Sequence, residues 1–238
     1  MTLTAIYPLC RQLRDVLFGD ASSALVEADV RPLGHTLPPA CLDAIITDPP
    51  YSVKTSWLYA AVHLVAARCL KPGGHLLMIL PHWAMDPMQS RLGYAVPTSL
   101  VSEYHALKWR WLLDMMQTRG SYPRLPNRNR HLAVTHKPIG WWTKYPLLEV
   151  DRRGMLDSFD NDPPPAPKQK RHKWQQSETW ANYCLDVLKP GALVWDPMMG
   201  GGTLPLVARR RGFRVIGSDV DSDAVAISRA ALEREGLL

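Results

Sequence analysis

The sequence predicts an α/β fold built on a doubly wound, mostly parallel sheet. Three observations predict it. Two apolar runs of strand length, residues 42–47 (LDAIIT) and 75–80 (HLLMIL), flank an amphipathic stretch of helical period, residues 56–70. The last third of the chain repeats the strand–helix–strand order around a glycine-rich turn. At 238 residues, 46% of them hydrophobic, the chain is long enough to bury the core of one substantial domain.

In chain order, residues 15–18 read as a short strand, Gly19-Asp20 as a turn, and the following residues as a helix capped near Asp20 or Ser22. Residues 31–40, with Pro and Gly, read as a loop. The strand at 42–47 ends abruptly at Asp48-Pro49-Pro50-Tyr51. Two prolines cannot continue a strand ladder, so the acid sits at the strand's carboxyl end. The helix at 56–70 is stopped by Lys71-Pro72-Gly73-Gly74, and the strand at 75–80 follows. Two further strands are expected at 107–117 and 131–136, joined by a long basic loop. Residues 139–171 contain Trp141-Trp142 and then a proline-rich run, and read as an irregular insertion. A helix at 178–188, a strand at 193–195, the turn Asp196-Pro197-Met198-Met199-Gly200-Gly201-Gly202-Thr203, a helix at 204–211, a strand at 214–217 and a helix at 223–235 complete the chain. Asp162-Pro163-Pro164-Pro165 follows no apolar run and reads as linker.

The net charge of +6 is unevenly placed. Residues 119–173 hold 12 Lys/Arg against 5 Asp/Glu, and the remainder holds 16 against 17. The whole basic excess therefore lies in one segment, which fits either a polyanion partner or a solvated loop. No apolar run reaches the roughly 18 residues of a membrane span. The first residues lack the features of a signal peptide, so a cytoplasmic protein is expected. The four cysteines are far apart, with no Cys-x-x-Cys pair, which argues against a zinc site or a disulfide framework; no metal is expected.

Two motifs carry chemistry. Glycines that follow a strand and open a helix let the backbone approach a ligand closely. Asp219, 17 residues beyond Gly202 at the tip of the next strand, has the position of an acceptor for ribose hydroxyls. Together these point to a cofactor that contains adenosine. The spacing is not Gly-x-Gly-x-x-Gly, which disfavours NAD. The neighbouring Asp221 reads equally as the N-cap of the last helix. The second motif is Asp48-Pro49-Pro50-Tyr51. An exocyclic amine of a nucleobase is a poor nucleophile, because its lone pair is delocalised into the ring. A carboxylate (Asp48) and a proline carbonyl (Pro49) can accept both amine hydrogens and localise that lone pair. Tyr51 can stack on a base flipped from the duplex.

With these motifs in place, the chain resembles the beta-class amino-methyltransferases of DNA. Their catalytic tetrapeptide comes first and their cofactor loop comes near the C-terminus, and here the two stand about 150 residues apart in that order. The resemblance covers most of the chain. His172-Lys173-Trp174-Gln175-Gln176-Ser177 is similar to the family's His-x-x-Gln-Lys-Pro segment, and Gly19-Asp20 to its Gly-Asp turn. The chain departs from the family at Met198, where Phe is usual, and at Gln176-Ser177, where Lys-Pro is usual. The resemblance implies a Rossmann-like methyltransferase fold with a small basic insertion. Residues 1–138 would form the catalytic part, 139–171 the target-recognition insertion and 172–238 the cofactor-binding part.

It also implies S-adenosyl-L-methionine as cofactor, held by Asp20, Gln175, Ser177, Asp196, Pro197, Met198, Gly200, Gly202, Thr203 and Asp219. Asp48, Pro49, Pro50 and Tyr51 would be catalytic. Double-stranded DNA would be held on its phosphates by Arg119, Arg124, Arg128 and Arg130 and by Lys168, Lys170 and Arg171. Trp141 and Trp142 would either stack on bases or anchor a loop, and His82 would either touch the ligands or serve structure. The family habit of Asp at position 48 favours adenine N6, and homodimerisation is a family expectation. Cytosine-N4, RNA or protein-glutamine methylation, and a non-catalytic nucleic-acid-binding subunit, are the alternatives.

Overall fold

The structure, a computed structural model, describes residues 10–50, 53–55, 57–80, 107–116, 136–146, 155–173 and 175–238. The elements are α1 (Arg11–Phe18), β1 (Ser23–Glu27), α2 (Val30–Thr36), β2 (Leu42–Thr47), α3 (Trp57–Cys69), β3 (Leu70–Ile79), β4 (Leu107–Met116), β5 (His136–Lys144), β6 (Ser158–Asp160), α4 (Thr179–Leu185), β7 (Leu193–Asp196), α5 (Thr203–Arg210), β8 (Arg214–Asp219) and α6 (Ser222–Arg234). The strands form one sheet in the order β1-β8-β7-β2-β3-β5-β4-β6. Among the described strands, only β5 runs against the other seven.

Helices cover both faces. Alternate strand residues point to opposite sides, as the pleat requires. Ile45, Leu76, Met78, Trp142 and Trp195 pack toward α1–α3, while Ala44, Ile46, Leu77, Ile79, Trp141 and Val194 pack toward α4 and α5. Burial on both faces explains why the central strands read as unbroken apolar runs. No helix among the described residues is long and apolar enough to cross a membrane.

Several sequence expectations give way. Residues 11–18 are a helix and 23–27 a strand, the reverse of the expected order. Leu13 and Val16, three apart, share the buried face of α1, and Gly19 ends it in the left-handed region at φ 91°. β1 forms because β8, distant in sequence, offers it a parallel partner. Residues 30–36 are α2 rather than loop. Asp29 caps this helix by accepting from Arg31 N at 2.8 Å, and Pro32 falls in the first turn, where no N–H is needed. Gly34 is required by packing, since a Cβ there would stand 2.4 Å from Val65 Cγ2.

β3 starts at Leu70, so Lys71-Pro72-Gly73-Gly74 lies within the strand, where the register against β2 shifts. Residues 139–144, expected to open the insertion, are instead part of β5, between β3 and β4. Trp141 and Trp142 are fully buried, and Trp141 Nε1 donates to His75 Nδ1 at 3.2 Å. They are core residues and cannot stack on a base. The prolines after Asp162 do follow a strand, the three-residue β6, but at the outer end of the sheet.

Candidate active site

The sheet reverses its winding between β7 and β2. From β7 the chain crosses to β8 on one side, and from β2 to β3 on the other. Open parallel sheets bind ligands at such a switch point, outside the carboxyl ends of the strands. Two strand tips meet there. Thr47, the last residue of β2, donates from Oγ1 to Asp196 Oδ1 on β7 at 3.0 Å, across 149 residues of sequence. Asp48 therefore stands beside the start of the glycine turn.

Four neighbouring strands each bring an acid to this edge. Asp29 follows β1, Asp219 ends β8, Asp196 ends β7 and Asp48 follows β2, and all four line one cavity of about 680 Å³. Asp196 is wholly enclosed. Burial pushes its carboxyl up to about 8, with the charges of Asp219 and Asp48 adding to the rise; hydrogen bonds from Met198 N and Thr47 oppose it.

The glycine turn is built around local constraints. Gly200 and Gly202 adopt φ 49° and 74°. A Cβ on Gly202 would stand 2.6 Å from Ser228 Oγ, and one on Gly201 would stand 2.5 Å from His172 Cβ. Ser228 Oγ donates to Gly200 O at 2.8 Å, which ties the turn to α6. Asp219 accepts from Gly200 N at 2.9 Å through Oδ2 and from Asp221 N at 3.0 Å through Oδ1. Each carboxylate oxygen has a second lone pair for a ligand. Asp221 caps α6 by accepting from Asp223 N, and it also lines the cavity.

On the β2 side, Pro50 O accepts from Thr55 Oγ1 at 3.0 Å, and Pro49 O accepts from Tyr59 Oη at 3.4 Å. Tyr59 is buried, and burial together with the charge of Asp48 drives its phenol pKa far up, so it stays a neutral donor. Asp48 Oδ2 accepts from Gln176 Nε2 at 2.9 Å.

Asp48, Pro49, Pro50, Gln175, Asp196, Pro197, Met198, Gly200, Thr203 and Asp219 thus meet around one cavity. Gly202 supports it from the head of α5. Three expected residues are placed elsewhere. Asp20 is exposed just ahead of β1, at the opposite edge of the sheet, because the helix–turn–strand order puts it at the strand's amino end. Ser177 is buried behind the cavity and donates to Asn161 Oδ1 at 2.6 Å. Arg171 is partly buried, with Nε and Nη2 enclosed by protein, which leaves little of its guanidinium open to a phosphate. Its backbone N–H instead donates to Gln175 Oε1 at 2.6 Å.

Lys168 is exposed and Lys170 partly so, ahead of His172 and Lys173 on the cavity wall. Tyr51, His82, Arg119, Arg124, Arg128 and Arg130 lie outside the described residues. Sequence reasoning missed Asp29, Thr47 and Tyr59. Reading ALVE as a strand would have exposed Asp29 as one more acid just past a strand tip.

No protein-family model and no curated protein matches the chain. Solved structures do. The PvuII DNA methyltransferase, cytosine-N4-specific, superposes with a TM-score of 0.75 at 16% identity, covering 89% of this chain and 86% of that one. The M1.HpyAVI–SAM complex gives 0.69 at 18% identity, covering 88% and 98%. TTHA0409 from Thermus thermophilus, in its complex with S-adenosyl-L-methionine, gives 0.66 at 16% identity, covering 87% and 92%. Eight strands in one mostly parallel sheet, six helices among the described residues and this agreement over nearly the whole chain give the protein the fold of the DNA methyltransferases.

Proposed function

We propose that the protein transfers a methyl group from S-adenosyl-L-methionine to an exocyclic amine of a DNA base, adenine N6, held out of the duplex. The observation that carries this reading is the meeting of Asp48 and the glycine turn in one cavity, joined by the Thr47–Asp196 hydrogen bond. The residues fit the cofactor. The cavity volume suits a ligand of this size, the glycines admit close backbone approach, and Asp219 offers acceptors for ribose hydroxyls. Asp29, Asp48 and Asp219, beside the protonated Asp196, favour a ligand that carries positive charge. Met198 and Val220 give apolar wall for an adenine ring. When bound, S-adenosylmethionine supplies an electrophilic methyl group on a sulfonium.

The protein's own task is to aim the nucleophile. Asp48 accepts one amine hydrogen and the Pro49 carbonyl the other, which localises the nitrogen lone pair and stabilises the charge that grows on it. The Pro49 carbonyl, already contacted by Tyr59, has a second lone pair for this. Lys168, Lys170 and Lys173, with the arginines of residues 119–130, would hold phosphates. Asp at position 48 supports adenine through the family resemblance. The cytosine-N4 specificity in the name of the PvuII enzyme supports the second reading, methylation of cytosine.

Nucleoside mass spectrometry of DNA incubated with the protein and S-adenosylmethionine separates the readings. N6-methyladenine is expected, absent with Asp48→Ala. N4-methylcytosine alone would transfer the assignment to cytosine, and an unmethylated product under all conditions would reject methyl transfer to DNA.

A further inference from the structure

Gln176 is not accounted for by that reading. It stands on the loop before α4, lines the cavity and donates from Nε2 to Asp48 Oδ2 at 2.9 Å. On its other side, Lys137 Nζ approaches Gln176 Oε1 at 3.5 Å. Lys137 reaches this edge because β5 is the reversed strand, so its first residues lie beside the carboxyl ends of the others. An ammonium only donates, so it draws the carboxamide oxygen toward itself and turns the amide N–H toward Asp48. The three residues form an ordered chain: cation, amide, carboxylate.

We infer that Gln176, oriented by Lys137, is a positioning residue that grips Asp48 through Oδ2 and holds its carboxylate ionised and aimed at the cavity. The inference rests on the reading of Asp48 as the acceptor of the substrate amine. The amide delivers a hydrogen bond without a full charge beside the carboxylate, so the carboxylate keeps its strength as an acceptor. Asp219 from β8 and Asp29 after β1 bring negative charge to the same cavity, while Asp196 on β7, protonated below about pH 8, and Tyr59 on α3 are neutral. His172 and Lys173 face the cavity from the loop before α4. A donor on Oδ2 favours the ionised form against that acidic background.

Carbon-13 NMR of protein labelled at the aspartate carboxyl carbons tests this without turnover, with the Asp48 signal assigned by its loss in Asp48→Asn. In Gln176→Leu the Asp48 titration midpoint should rise by about one pH unit, and in the near-isosteric Gln176→Glu by at least as much. Lys137→Met should move it in the same direction by less. Far- and near-ultraviolet circular dichroism confirms that each variant is folded. An unchanged Asp48 midpoint in both folded Gln176 variants would overturn the inference, even if the wild-type protein methylates DNA. Movement of the midpoint upholds the grip on Asp48, and absence of wild-type methyl transfer would then count only against the function. With transfer detected, the acidic limb of the kcat/KM profile should move with the NMR midpoint.

Discussion

Gly202→Ala measures the constraint that shapes the glycine turn. Two costs can be worked from the structure. The residue sits at φ 74°, and an L-residue there loses about 1–2 kcal/mol. The added Cβ would meet Ser228 at 2.6 Å from Oγ, 2.8 Å from Cβ and 3.0 Å from Cα. Two of those atoms cannot swing away, so overpacking adds about 1–3 kcal/mol. The sum, about 2–5 kcal/mol, leaves a protein of ordinary stability folded. For a domain of this size it lowers the melting temperature by roughly 4–20 °C. Urea denaturation followed by circular dichroism, with the single and double variants of a Gly202→Ala and Ser228→Gly cycle, separates the two costs. Ser228→Gly costs about 1–2.5 kcal/mol on its own, from a glycine within α6 and the lost hydrogen bond to Gly200 O. In the Gly202→Ala background it also removes the two closest of the clashing atoms, Oγ and Cβ, so the pair should couple by at least about 1 kcal/mol. A Gly202→Ala protein as stable as wild type would refute the reasoning, as would strictly additive variants.

Asp196 makes stability depend on pH. Unfolded, its carboxyl ionises near the ordinary 3.8, and folded only near 8. Between those values the folded state holds a proton that the unfolded state lacks, so stability falls as pH rises through the window and levels above it. Asp196→Asn has no such proton, and the wild-type stability relative to it should fall by up to about 1.4 kcal/mol per pH unit; parallel curves would contradict the burial argument. Trp142→Ala should cost about 3–5 kcal/mol of stability because it empties a core site, whereas a base-stacking residue would cost little, as a denaturation midpoint will tell. Asp219→Ala removes the acceptor of Gly200 N and, on the proposed reading, a ribose partner, so calorimetry should show S-adenosylmethionine binding at least about tenfold weaker; unchanged affinity would discard the assignment.

Local features were the legible ones. Asp48-Pro49-Pro50 announces a strand tip because proline cannot pair, and the three glycines announce a turn because no other residue fits their angles and contacts. What stayed hidden depends on partners far along the chain. SALVE is a strand only because β8 lies beside it, and without that pairing Asp29 could not be seen as part of the site. β5 was hidden for another reason. Residues 138–143 are buried on both faces, so they show no alternation. They also carry Pro138 and Gly140, which normally mark a break. Gly140 is there because Trp142 folds over it, and a Cβ would stand 2.3 Å from the ring. The grip of Gln176 on Asp48 joins residues 128 apart, and no spacing rule reports such a contact.

The hydrogen bond between Thr47 and Asp196 has a consequence for how the protein is made. β2 emerges from the ribosome with β3 soon after it, but its other neighbour, β7, is synthesised about 150 residues later. Through that interval one edge of β2 has no native partner, a hazard for aggregation and a natural binding site for chaperones. Nor can the cavity form early, since Asp48 emerges long before the glycines that share it. Completion of the sheet and assembly of the candidate pocket are one folding event.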